Sequence, residues 1–73
     1  MSMETQHHHT IRAALMRHLE TRTHNDFDII AVGRLTLYVP PALYPTLDVL
    51  TCGDLVEAAY DRDCCVVSLR RVS

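Results

Sequence analysis

Few residues in this 73-residue sequence are of types that could do chemistry. Cys52, Cys64 and Cys65, together with His7, His8, His9, His18 and His24, are the metal-ligating and nucleophilic candidates. Successive side chains on a strand point to opposite faces, so Cys64 and Cys65 in "DRDCCVVSLRRVS" cannot both turn their sulfurs to one tetrahedral ion without distortion. Free cysteine is among the most buried residue types, which makes the pair two small core residues. The histidines of "HHHT" lack the i, i+4 partner of a helical metal site and read as a solvated arm. His18 lies mid-stripe on an expected helix and reads as a hydrogen-bonded imidazole at the edge of the core. No GxSxG, HExxH or glycine-rich phosphate loop is present, and Gly33 and Gly53 are the only glycines. Neither a catalytic site nor a cofactor or metal is expected.

The acidic residues form a more definite pattern. On a helix, Asp54, Glu57 and Asp61 at i, i+3 and i+7 share one stripe, with Asp63 just beyond. Such a row is either a solvated face or a charge surface offered to a basic partner. Tyr38 and Tyr44 are candidate aromatic anchors, since tyrosine is enriched at interfaces.

The elements that must position these residues follow from hydrophobic periodicity. In "TIRAALMRHLETR", Ile11, Ala14, Leu15, His18 and Leu19 fall at helical spacing and predict a first helix, fraying near Thr23. "FDIIAVGRLTLYVPP" is split by Gly33-Arg34, the pair of a two-residue type II′ turn, and predicts strands at about 27–32 and 35–39. In that register Val32 faces Leu35, Ile30 faces Leu37 and Asp28 faces Val39. The opposite side carries Phe27, Ile29 and Ala31 against Thr36 and Tyr38, so the hairpin is apolar on both sides. A second face of this kind suggests a partner, a dimer or cover from the Pro-rich loop "PPALYPTLD". A short strand at about 47–50, a second helix over "TCGDLVEAAYDRD" with Thr51 as N-cap, and a last strand at 64–70 complete the chain. The expected fold class is α+β in the order α-β-β-(β)-α-β, a small mainly antiparallel sheet with helices on one face. Residues 1–73 make one domain, with residues 1–9 a flexible arm.

Composition narrows the function. Apolar residues at 48% and charged residues at 22% are ordinary for a globular chain. All seven basic residues are Arg against nine acids, a net charge of −2, and a general nucleic-acid binder needs a basic excess. The absence of Lys removes lysine nucleophiles. No apolar run reaches the roughly 20 residues of a membrane span, and an odd Cys count without a signal peptide points to a cytoplasmic protein.

The tail "TCGDLVEAAYDRDCCVVSLRRV" resembles the β-β-α-β units of very small phage-encoded host-takeover and anti-CRISPR proteins. The resemblance covers element order, size and charge over residues 27–72. It implies a non-catalytic inhibitor that blocks a host nucleic-acid-handling protein by occlusion or charge mimicry. The expected partner is a host protein with a basic surface, met by Asp54, Glu57, Asp61, Asp63, Tyr38 and Tyr44, with no direct nucleic-acid or membrane contact. The alternative is a homodimeric structural or antitoxin-like protein, with Phe27, Ile29 and Tyr38 at a symmetric interface.

Overall fold

The computed structural model describes residues 8–72. It contains five strands, β1 (His9–Leu19), β2 (Asp28–Val32), β3 (Leu35–Val39), β4 (Leu55–Tyr60) and β5 (Val66–Arg71). Between β3 and β4 lie a 3-10 turn at Pro41–Leu43 and one short helix, α1 (Tyr44–Leu47). The expected α+β class is thereby corrected: both segments read as long helices are strands, and no helical layer covers the sheet. His7 and the residues before it lie outside the described residues, while His9 of the expected arm opens β1.

The strands are hydrogen-bonded in the order β3-β2-β1-β4-β5, every neighbouring pair antiparallel. The two ends of this row meet. Tyr38 and Cys65 form a parallel bridge, and the Tyr38 N–H donates to the Cys64 carbonyl at 2.8 Å. A five-stranded sheet closed in this order, with its helix between the third and fourth strands, has the topology of a partly open barrel of the OB type.

β1 holds the barrel together because it is shared. Its first half, His9 to Ala14, pairs with β4, and its second half, from Leu15, pairs with β2. By intrinsic propensity "RAALMRHL" favours a helix. Two strands with open edges impose a stronger demand, since their backbone groups must be paired. A bulge explains why the sequence imitates a helix. The register slips between Leu15 and Arg17, leaving Met16 as the extra residue. Ile11, Ala13 and Leu15 therefore point inward by twos, and His18 follows after a step of three. The inward set 11, 15, 18 has helical spacing without a helix.

The hairpin forms in the expected register: Val32 opposite Leu35, Ile30 opposite Leu37, Asp28 opposite Val39. Gly33 has φ +59, as the first residue of a type II′ turn requires. A Cβ there would stand 3.0 Å from the Ala13 Cβ, so glycine also permits the turn to lie on β1.

The second half of the chain departs from expectation throughout. "LVEAAY" is β4, with Val56 and Ala58 buried and Leu55 and Glu57 on the other side. Thr51 is no helix cap. Its N–H donates to the Asp54 carboxylate, and the Asp54 N–H to the Thr51 carbonyl, in a turn that leads into β4. The expected strand at 47–50 is the end of α1 and its exit, with the Leu50 N–H donating to the Leu47 carbonyl. The expected β-α-β crossover is an antiparallel β4-β5 hairpin. Pro41 and Pro45 occupy early helical positions, where a missing N–H costs nothing, so the Pro-rich loop accommodates short helical turns. α1 carries Leu47, fully buried, into the barrel's core beside Leu15, Ile30, Leu37, Val56 and Val66.

Candidate functional site

Strand alternation sorts the side chains into a packed interior and an outward surface. On the outward side of β1, β2 and β3, Leu19, Ile29 and Tyr38 are direct cross-strand neighbours. Phe27 meets the Tyr38 ring edge to face, with centroids 5.2 Å apart. Leu19 is 45% exposed and Tyr38 38%, and the bulged Met16 reaches 61%. The interior side of the same strands is filled, so this patch belongs to no internal core. Phe27, Ile29 and Tyr38 were readable in the sequence as a second apolar face. Met16 and Leu19 were not, because a helical reading of β1 assigns Leu19 inward and gives Met16 no place on the sheet.

Across β1 the outward surface changes character. Arg12, Glu57 and Arg70 form a row over β1, β4 and β5, each opposite the next. One carboxylate oxygen of Glu57 accepts from both guanidinium groups, from Arg12 at 3.2 Å. Arg12, then Arg70, hold the Glu57 carboxyl below its ordinary value. Arg17 lies on the same side, opposite Ala31, and makes no ion pair among the described residues. A hollow of about 90 Å³ lined by Ala59, Ser68 and Arg70 lies beside the row, well short of the roughly 300 Å³ of a small-molecule site.

The four acids singled out in the sequence do not share a face. Glu57 is in the arginine row on the outward side of β4. Asp54 caps the preceding turn and stands 3.6 Å from Arg71. Asp61 folds the β4-β5 turn, its carboxylate accepting from the Asp63 and Cys65 N–H groups. Asp63 is exposed in that turn. The stripe required a helix, and the segment is a strand and its two turns.

Tyr44, the second expected anchor, belongs to a polar clasp at one end of the barrel. Asp28 is fully buried and accepts from His18 Nε2 at 2.8 Å, from Arg22 Nε and Nη2 at 2.9 and 2.7 Å, and from the Thr21 N–H at 3.2 Å. Arg22 continues to Asp48 at 2.6 Å and lies over the Tyr44 ring, 3.8 Å from its centroid. Burial alone would raise the Asp28 carboxyl, but the hydrogen bonds from Arg22 and His18 outweigh it and hold it below its ordinary value. Burial pushes the Tyr44 hydroxyl up. The clasp ties the β1-β2 loop to α1, and that loop delivers Phe27 to the outward patch. His18 occupies the hydrogen-bonded edge position expected of it.

The cysteines sit in the β4-β5 turn and just before β5, not within the strand. Cys64 has φ +64, a left-handed conformation rare outside glycine, and packs against the core; Cys65 forms the bridge to Tyr38. Burial, then Asp61 and Asp63, push the Cys65 thiol up, away from the reactive thiolate. Among the described residues no cluster of three or more His, Cys, Asp or Glu is placed to hold a metal, and no helix is long and apolar enough to cross a membrane. The chain matches no family model, no curated protein and no solved structure.

Proposed function

We propose that this protein is a non-catalytic binding module that docks a protein partner on the outward face of β1, β2 and β3, and regulates it by covering the surface it occupies. The observation that carries this reading is the contiguous row Leu19-Ile29-Tyr38, with Phe27 packed on it and Met16 exposed at the bulge further along β1, on the outside of a barrel whose core is complete within. Aromatic residues, Met and Arg are the types enriched at protein interfaces, and all occur here. The element order behind the resemblance to phage inhibitors is absent, so only their strategy is retained: occlusion without chemistry. The barrel type carries no function by itself, since one fold hosts many.

Affinity capture from lysate with three forms of the protein tests the reading: wild type, a Leu19→Asp/Tyr38→Asp variant, and an Asp54→Asn/Asp63→Asn variant. A protein held by wild type and by the Asn variant, and lost with the Asp variant, is the expected result. A protein lost only with the Asn variant would overturn it in favour of the acidic residues. Sedimentation equilibrium separates a third outcome, in which the face pairs with a second copy as a symmetric dimer.

A further inference from the structure

The charge on the outward surface specifies the partner's chemistry. By strand register this surface presents Arg12, Arg17 and Arg70 against a single carboxylate, Glu57, on a chain whose net charge is −2. The carboxylates of Asp28, Asp48, Asp54 and Asp61 are engaged elsewhere, with Arg22, with Arg71 or with turn N–H groups. The surface is also polarised along β1. Leu19, Ile29 and Tyr38 form its apolar end, Arg17 follows two residues from Leu19, and Arg12 with Arg70 lies about 20 Å along the strand from Leu19 at roughly 3.3 Å per residue with the bulged Met16 discounted.

Resting on the docking face proposed above, we propose that its partner is a protein segment with an aromatic or aliphatic anchor at one end and carboxylates at the other. The anchor covers Leu19, Ile29 and Tyr38. The carboxylates meet Arg17, Arg12 and Arg70, whose planar forks are suited to bidentate carboxylate binding and are only partly used by Glu57. About six extended residues span the two ends. A single-stranded nucleic acid fits less well on two counts. Leu19 and Ile29 are aliphatic, and the two rings of the patch, Phe27 and Tyr38, pack edge to face on each other rather than standing apart as successive stacking platforms. The exposed Glu20 and Asp26 adjoin Leu19 and Phe27 in the chain, so a uniform polyanion is repelled at the apolar end.

The test is selection of a random dodecapeptide display library on the immobilised full chain, with single-stranded oligothymidine of twelve nucleotides as a parallel probe. Expected are enriched peptides that pair a Phe, Trp, Leu or Ile with Asp or Glu several residues away. Their affinity falls by about tenfold or more in Arg12→Gln/Arg70→Gln and in Arg17→Gln, and weakens with added salt. Arg17→Gln removes no side-chain hydrogen bond or ion pair among the described residues, and an unchanged urea midpoint in that variant separates loss of binding from loss of fold. Enriched peptides without acidic residues that still require Leu19 would overturn the charge inference and leave the docking face intact. Peptides that bind the Leu19→Asp variant unchanged would overturn both. Tight binding of oligothymidine without peptide enrichment would replace the protein segment by nucleic acid.

Discussion

Replacing Asp28 by Asn keeps the side chain's shape and removes its charge at the one fully buried carboxylate among the described residues. In the native protein that carboxylate accepts three side-chain hydrogen bonds, two of them from Arg22 and one from His18, besides the Thr21 N–H. The amide that replaces it turns an NH₂ toward donors on one side and leaves them unpaired. Breaking a buried charged pair by removing one partner costs about 3–5 kcal/mol. Arg22 keeps Asp48 and reaches solvent, which places Asp28→Asn near the lower end, about 3 kcal/mol. A domain of this length has about 4–11 kcal/mol of stability in total, so the loss is a large fraction of it. Urea unfolding followed by circular dichroism at pH 7 reads the effect directly. With m of about 1 kcal/mol/M for so small a chain, the midpoint falls by roughly 3 M. A fall below about 1 kcal/mol would refute the argument that the clasp is a buried, charge-dependent network. A parallel Asp48→Asn variant, altering the exposed arm of the same clasp, is expected to lose distinctly less.

Three further outcomes follow from the geometry. Cys64→Gly relieves a left-handed conformation that costs about 1–2 kcal/mol in an L-residue; against the lost packing a net gain of about 0.5–1 kcal/mol is expected, visible as a higher thermal midpoint, and a lowered midpoint would show that the thiol's packing dominates. Gly33→Ala should cost at least about 1–2 kcal/mol by denaturant titration, because φ is +59 and the new Cβ meets Ala13; a neutral result would mean the turn relaxes freely. Asp28, Asp48 and Glu57 are all held below their ordinary values, so the stability they contribute is complete above pH 4.5, is lost as the pH falls through their folded values, and is absent below them. Comparing urea midpoints from pH 6 down to about pH 2.5 in wild type and Asp28→Asn should show a shallower acid limb in the variant; parallel limbs would remove Asp28 from the acid response.

The hairpin was legible from residue types alone. β-Branched residues flanking Gly33-Arg34 specify its turn and register, and its second apolar face, Phe27, Ile29 and Tyr38, is half of the candidate site. The other half was hidden in β1, where the bulge at Met16 turns an alternating pattern into helical spacing; the signal present was Ile11, Ala13 and Leu15 alternating with Arg12 and Ala14. β4 was hidden for a related reason, since "LVEAAY" is good helix sequence in isolation and becomes a strand beside β1 and β5, where Glu57 meets an arginine on each side.

Residue types alone set the local events: the turn at Gly33-Arg34, the pairing of β2 with β3 and the sign of the net charge. Long-range pairing makes β1 a strand, rolls the sheet until Tyr38 reaches Cys65, and puts arginines from β1 and β5 on a surface with an apolar row. Strand edges must be paired, and pairing between distant segments gives β2, β1 and β4 a neighbour on each side, with one bridge joining β3 to β5. That demand has no counterpart in any window of residues, and it overrides the modest helical preference that each window carries.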